Sequence, residues 1–165
     1  MPVTSKRLKE VLRYDPDTGQ FTWLVQRNQM AVGSVAGTNH PNGARMIWID
    51  GVSYYAHRLA WLYVYGKWPT HDIDHIDRDR SNNRIRNLRD VTESVNLQNQ
   101  CLTGRKNSSG LLGVCWYSRY NKWNASIRVN GRSINLGYFC TKEEAHAVYV
   151  RAKTKHHPGF VKELT

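Results

Sequence analysis

The stretch that most restricts what this chain can become runs from Ile73 to Gln100 and reads IDHIDRDRSNNRIRNLRDVTESVNLQNQ. Apolar and polar residues alternate as far as His75, and a loop dense in Arg and Asn follows. A second short alternating run passes Leu88, and Thr92 with Glu93 then opens a helical segment. Alternation reads as strand, and a Thr followed by an acid in the first turn reads as a helix start. The predicted order is strand, loop, strand, helix.

The residue types in this stretch suit phosphodiester hydrolysis. That reaction needs a base that works near neutral pH and a hard cation to neutralise charge on the phosphate and the departing oxygen. His75 fits the first task, because imidazole titrates in that range. The carboxylate of Asp74 and the amide oxygen of Asn96 fit the second, since oxygen ligands favour Mg²⁺ or Mn²⁺ over zinc. Neighbours on a strand point to opposite faces, so Asp74 and His75 converge on one phosphate only if the strand twists or ends there.

At these residues the chain resembles the HNH nucleases, the ββα-metal group, in the form found in phage homing endonucleases. Asp74-His75, then Asn87 in NLR, then Asn96 match the motif in type and order. HRLAWLYVYGKWP, from His57, resembles the segment that precedes such active sites. The resemblance implies that His75 is the general base and that Asp74 and Asn96 hold one divalent cation, Mg²⁺ or Mn²⁺, with no zinc. It also implies that Asn87 completes the catalytic set by pinning the loop, and that the protein is phage-encoded and acts in the cytoplasm of an infected bacterial host. His57 and His71 lack the Cys/His spacing of a zinc site and are expected to be hydrogen-bonded or solvent-facing, not metal ligands.

The charge balance agrees with a polyanionic partner. Lys and Arg number 24 against 13 Asp and Glu, a formal charge of +11, and phosphate neutralisation by basic side chains dominates non-specific nucleic-acid affinity. Arg78, Arg80, Arg84, Arg86 and Arg89 crowd the proposed site, where one or two would clamp the DNA backbone; Arg78, Arg80 and Arg84 are the candidates. Between Glu93 and Glu143 there is no acidic residue, while Arg105, Lys106, Arg119, Lys122, Arg128, Arg132 and Lys142 lie there. The three cysteines, Cys101, Cys115 and Cys140, show no CxxC spacing and read as free thiols in a reducing compartment. Neither a signal peptide nor a membrane-spanning run is evident, and no small-molecule substrate is expected.

Upstream, Thr4 can cap a helix with Leu8, Val11 and Leu12 at helical spacing, running up to Asp15-Pro16. Alternating segments near 20–25, 34–38 and 45–49, with Asp50-Gly51 as a hairpin turn into Val52, predict one small antiparallel sheet in which Trp23 and Trp48 pack. HRLAWLYVY reads as a helix ending at Gly66. This upstream region is assigned no chemistry of its own.

Downstream, residues 101–112 read as a linker. Three strands and a helix follow, with Asn130-Gly131 as a type I′ turn and Thr141/Glu144 as a capping box. The block from Gly113 to Ala152 resembles the AP2/ERF DNA-binding domain, whose three-stranded sheet lies in the major groove. The resemblance places Cys115, Tyr117, Asn124, Ser126, Arg128, Ser133 and Asn135 toward DNA, with Arg119, Lys122 and Arg132 in the turns. Alternation puts Trp116, Trp123, Ile127, Ile134 and Leu136 on the core side.

The expected fold class is α+β: a small N-terminal antiparallel sheet with the ββα-metal motif, then a three-stranded sheet packed on one helix. The expected domains are a nuclease at 1–100 with its core at 72–100, the linker, and a DNA-binding domain at 113–165. The functional expectation is a metal-dependent endonuclease acting on double-stranded DNA. Competing readings are a DNA-binding regulator with a vestigial nuclease fold, and an RNA-binding structural protein.

Overall fold

The computed structural model describes residues 2–27, 30–99 and 109–160. They form two compact units, Met1–Glu93 and Ser94–Thr165.

The first unit opens with α1 (Ser5–Val11), where the Thr4 hydroxyl accepts from the Arg7 N–H. The helix was expected to continue toward Asp15, but Leu12–Asp15 forms β1 and pairs with β2 (Gln20–Trp23). Leu12 and Tyr14 alternate inward there, and the Asp15–Gly19 turn returns the chain at once, so pairing overrides the helical spacing. Instead of one sheet there are two, because β3 (Thr38–Asn39), β4 (Arg45–Ile49) and β5 (Val52–Tyr55) form a separate three-stranded sheet. The Ser34–Thr38 segment contributes only a bridge at Val35 and the first residue of β3. Asp50 and Gly51 both take positive φ in the β4–β5 turn, as a type I′ hairpin requires.

α2 (Ala56–Tyr65) ends on Gly66 in the left-handed conformation. Leu8, Leu12, Phe21, Ile47, Ile49, Leu59 and Leu62 are buried in one cluster with Trp23. Each large apolar side chain contributes about 1.5–3 kcal/mol by leaving water. Trp48 was expected to pack as well, yet it is exposed. Ile47 and Ile49 take the inward positions of β4, and alternation turns Trp48 out. From this core emerge β6 (Asp72–His75) and β7 (Leu88–Val91), an antiparallel pair.

The second unit contains nearly all of α3 (Glu93–Asn99), then β8 (Val114–Tyr117), β9 (Lys122–Val129), β10 (Arg132–Phe139) and α4 (Lys142–His156). The sheet order is β10-β9-β8, antiparallel throughout. Asn130 and Gly131 have positive φ in the β9–β10 turn, and the Thr141/Glu144 capping box is formed. Val114, Ala125 and Ala145 make the buried centre, with Trp123, Leu136 and Phe139 packed around it. Gly113 is needed at the edge of this core: its φ is +70°, and a Cβ would fall 2.0 Å from the Tyr149 ring.

Two core expectations fail here, since Trp116 and Ile134 are exposed. Both lie on the α4 side of the sheet by register, but the core that α4 closes lies elsewhere on that face, and Trp116 is left edge-on against Trp123. Cys115 and Cys140 are free and exposed; Cys101 and most of the expected linker lie outside the described residues. No helix among the described residues is long and apolar enough to cross a membrane.

Candidate active site

The site is built on the β6–β7 pair, whose register sets Asp74 opposite Arg89 and His75 opposite Leu88. Directly opposed residues share a face, and the Arg89 guanidinium reaches across to Asp74. Its Nε and Nη2 donate to Asp74 Oδ2 at 2.8 and 2.6 Å. The pair is largely withdrawn from water, with side chains 24% and 8% exposed. Arg89 therefore holds the Asp74 carboxylate.

His75 is the last residue of β6 and is 6% exposed. Its Nε2 lies 3.2 Å from Asn83 Oδ1. The orientation of that amide is set by Asn83 Nδ2, which donates to the Ser81 carbonyl, so Oδ1 faces the imidazole as an acceptor. An amide oxygen cannot donate, hence Nε2 carries the proton and Nδ1 carries the lone pair in the neutral ring. The ring also meets His57 of α2 edge to face, with centroids 5.1 Å apart.

Asn83 had no place in the sequence expectations, and in a polar loop it reads as one more solvated turn residue. It is instead 2% exposed and is anchored from the N-terminal region. Tyr14 Oη donates to its carbonyl at 2.7 Å, while Arg84 Nε donates to the Asp17 carbonyl at 2.6 Å. Gly19, at φ +74°, sits so close that a Cβ would come within 2.6 Å of the Asn83 carbonyl carbon. The β1–β2 turn thus buttresses the partner of the proposed base, although the region was assigned no chemistry.

Asn87 is hydrogen-bonded within the loop. Its Oδ1 accepts from the Asp77 N–H at 3.0 Å, and its Nδ2 donates to Asp77 Oδ1 and to the Asn82 carbonyl at 2.9 and 2.8 Å. Partial burial opposes ionisation of Asp77, but bonds from Asn82, Asn87 and the Asp79 N–H outweigh it and hold the carboxyl below its usual range. Of the arginines expected to touch DNA, Arg80 is exposed, Arg78 is half-buried at a left-handed position, and Arg84 is committed to Asp17 and Asn82. His71 pairs with Asp90. Asn96 stands on α3, half-buried.

His57 was expected to be hydrogen-bonded or solvent-facing, yet it is half-buried. Its ring stacks on Tyr55 at 5.2 Å and its Nδ1 is buried without a hydrogen-bond partner. Burial pushes its pKa down to about 3, with His75, Arg58 and Arg80 adding to the effect. Because the folded-state value lies below the unfolded one, the unfolded chain gains a proton first as pH falls from about 6.5 toward 3. Wild-type stability should accordingly drop by about 2 kcal/mol between pH 7 and pH 5, and His57→Phe should flatten that slope. Urea titrations with amide exchange read at Ile47 and Leu59 at the two pH values check this.

Asn83→Leu keeps the branched side-chain shape but removes the acceptor for His75 Nε2. Cleavage should fall about 10–100-fold, a fraction of what a positioned general base supplies. Single-turnover rates measured beside urea stability would separate lost positioning from lost fold.

In the second unit the register brings Cys115, Tyr117, Lys122, Asn124, Ser126, Arg128, Ser133 and Asn135 to the face turned away from α4. Arg119 lies in the 3-10 turn after β8, and Arg132 stands opposite Val129 on the α4 side. Asn124 and Asn135 are bonded to each other: Asn124 Nδ2 donates to Asn135 Oδ1 at 2.7 Å and to the Gly137 carbonyl at 3.1 Å.

The segment that carries the β6–β7 antiparallel pair matches a known family. Residues 54–98 match the HNH endonuclease family model. The match covers α2, β6, β7 and most of α3, and an HNH endonuclease segment supports nuclease activity and implies nucleic acid as substrate. No curated protein and no solved structure matches the chain.

Proposed function

We propose that the chain is a metal-dependent DNA endonuclease of the phage homing type, in which the HNH segment cuts and the second unit selects and holds double-stranded DNA. The observation that carries this reading is the His75–Asn83 contact inside the HNH segment, which leaves the imidazole with its lone pair on Nδ1.

In the proposed reaction His75 Nδ1 takes a proton from the water that attacks phosphorus, and Asn83 Oδ1 stabilises the resulting imidazolium through Nε2–H. HNH nucleases generally use a divalent metal, and Asp74 supplies a carboxylate of the hard-oxygen type that Mg²⁺ or Mn²⁺ takes. Among the described residues no three His, Cys, Asp or Glu side chains gather around a point. Asn96 is the second ligand by its order in the motif. Bound there, the cation would polarise the phosphate and stabilise the leaving 3′ oxygen. Arg89 fixes Oδ2 of Asp74 and so orients the carboxylate.

Incubating the purified chain with phage or plasmid duplex DNA, with Mg²⁺ or with EDTA, tests the proposal. Metal-dependent nicks or breaks support it. Binding without any cleavage would favour a DNA-binding regulator, and preference for RNA with no EDTA-sensitive reaction would favour a structural RNA-binding protein.

A further inference from the structure

The open face of the second unit's sheet carries a feature that charge does not explain. Tyr117, Tyr120 and Tyr138 pack into a closed trio, with ring centroids 5.2 Å apart for 117–120 and 117–138 and 4.9 Å for 120–138. Tyr117 and Tyr138 belong to β8 and β10 and flank β9, while Tyr120 closes the group from the 3-10 turn. Such large rings would be expected under α4, yet Tyr117 is 37% and Tyr120 51% exposed, on the face away from the helix. The trio is separate from the Val114–Ala125–Ala145 core.

Its surroundings point to a duplex. Lys122 lies beside the trio on the same face, and the Arg119 guanidinium stands 5.9 Å over the Tyr120 ring. Arg128 lies further along β9. Arg128 lies six positions along the strand from Lys122, about 20 Å at the usual rise. That span crosses a major groove about 12 Å wide and lets both ends reach phosphates. Between them, the amides that could read adenine are half spent. Asn135 Oδ1 accepts from Asn124 Nδ2 and from the Gly137 N–H at 2.7 and 3.0 Å, so a bidentate amide–adenine contact would require breaking that internal pair. What remains for direct readout at this end of the face is dominated by the three rings, and mutually packed rings lose little entropy on contact.

We propose that Tyr117, Tyr120 and Tyr138 form a specificity surface for thymine, contacting its 5-methyl group in the major groove while Lys122 and Arg128 hold the flanking phosphates. The inference rests on reading this sheet face as the DNA-contacting one. Thymine is the only base with an apolar group in that groove, and exposed ring edges on a basic face match it.

The experiment uses the full chain in EDTA, so that binding is measured without cleavage. A preferred duplex is selected from a randomised library, and its thymines are then replaced one at a time by deoxyuridine, which removes only the methyl. Wild type should lose about fourfold in affinity at one or two positions, the worth of one buried methyl. Tyr120→Ala should bind the thymine duplex at that reduced level and be indifferent to the replacement, while Tyr120→Phe, which keeps the ring, should behave as wild type. Arg128→Ala should weaken both duplexes equally. Indifference of wild type to deoxyuridine, or an equal loss by Tyr120→Ala on both duplexes, would overturn thymine reading while leaving the sheet as the DNA face. If Arg128→Ala and Tyr120→Ala both bound normally, or no duplex were selected, the underlying reading would fail as well.

Discussion

His75→Ala should cut the rate of Mg²⁺-dependent DNA cleavage by about 10²–10⁴-fold, the usual contribution of a positioned general base, and leave affinity for the duplex unchanged. The imidazole ends β6 with its Nε2 against Asn83 Oδ1, which accepts from a donor there. Removing it deletes the acceptor at Nδ1 without touching Lys122 or Arg128 on the second unit's sheet. His75→Gln gives a useful companion, because an amide can still contact Asn83 but cannot take a proton at neutral pH. Both variants should show that loss across pH, and full activity in either would remove His75 from the mechanism.

Asp74→Ala should lose cleavage too, but with a second signature. The substitution leaves the Arg89 guanidinium without the carboxylate that takes two of its N–H groups. Breaking one side of a largely buried ion pair costs about 3 kcal/mol. The double variant Asp74→Leu/Arg89→Met replaces both charges by apolar groups and should recover most of that stability while remaining inactive. Urea titrations with amide exchange read at Ile47, set beside cleavage assays, distinguish the two effects. Cleavage by the folded double variant would show that Asp74 serves the fold alone.

Much of this was legible because it rests on local rules. Asp50-Gly51 and Asn130-Gly131 announced their hairpins, Thr141 and Glu144 their capping box, and the alternation around His75 and Leu88 the strand pair. What escaped depends on distant partners. Leu8, Val11 and Leu12 satisfy a helical period, and only the pairing of Leu12–Asp15 with β2 cuts the helix short. Alternation assigned Trp116 and Ile134 to the correct face of the sheet but could not tell how far α4 covers it. Asn83 was invisible for the same reason. Its burial is created by Tyr14, 69 positions earlier, and by a glycine in the β1–β2 turn, contacts that no spacing within the loop encodes.

The dependence of Asn83 on Tyr14 and Gly19 also says where this chain cannot be trimmed. A fragment started at the HNH segment would keep every residue of the motif and still lack the scaffolding that fixes the tautomer of its base. Any transplant into a fusion protein would have to carry the opening hairpin along with it.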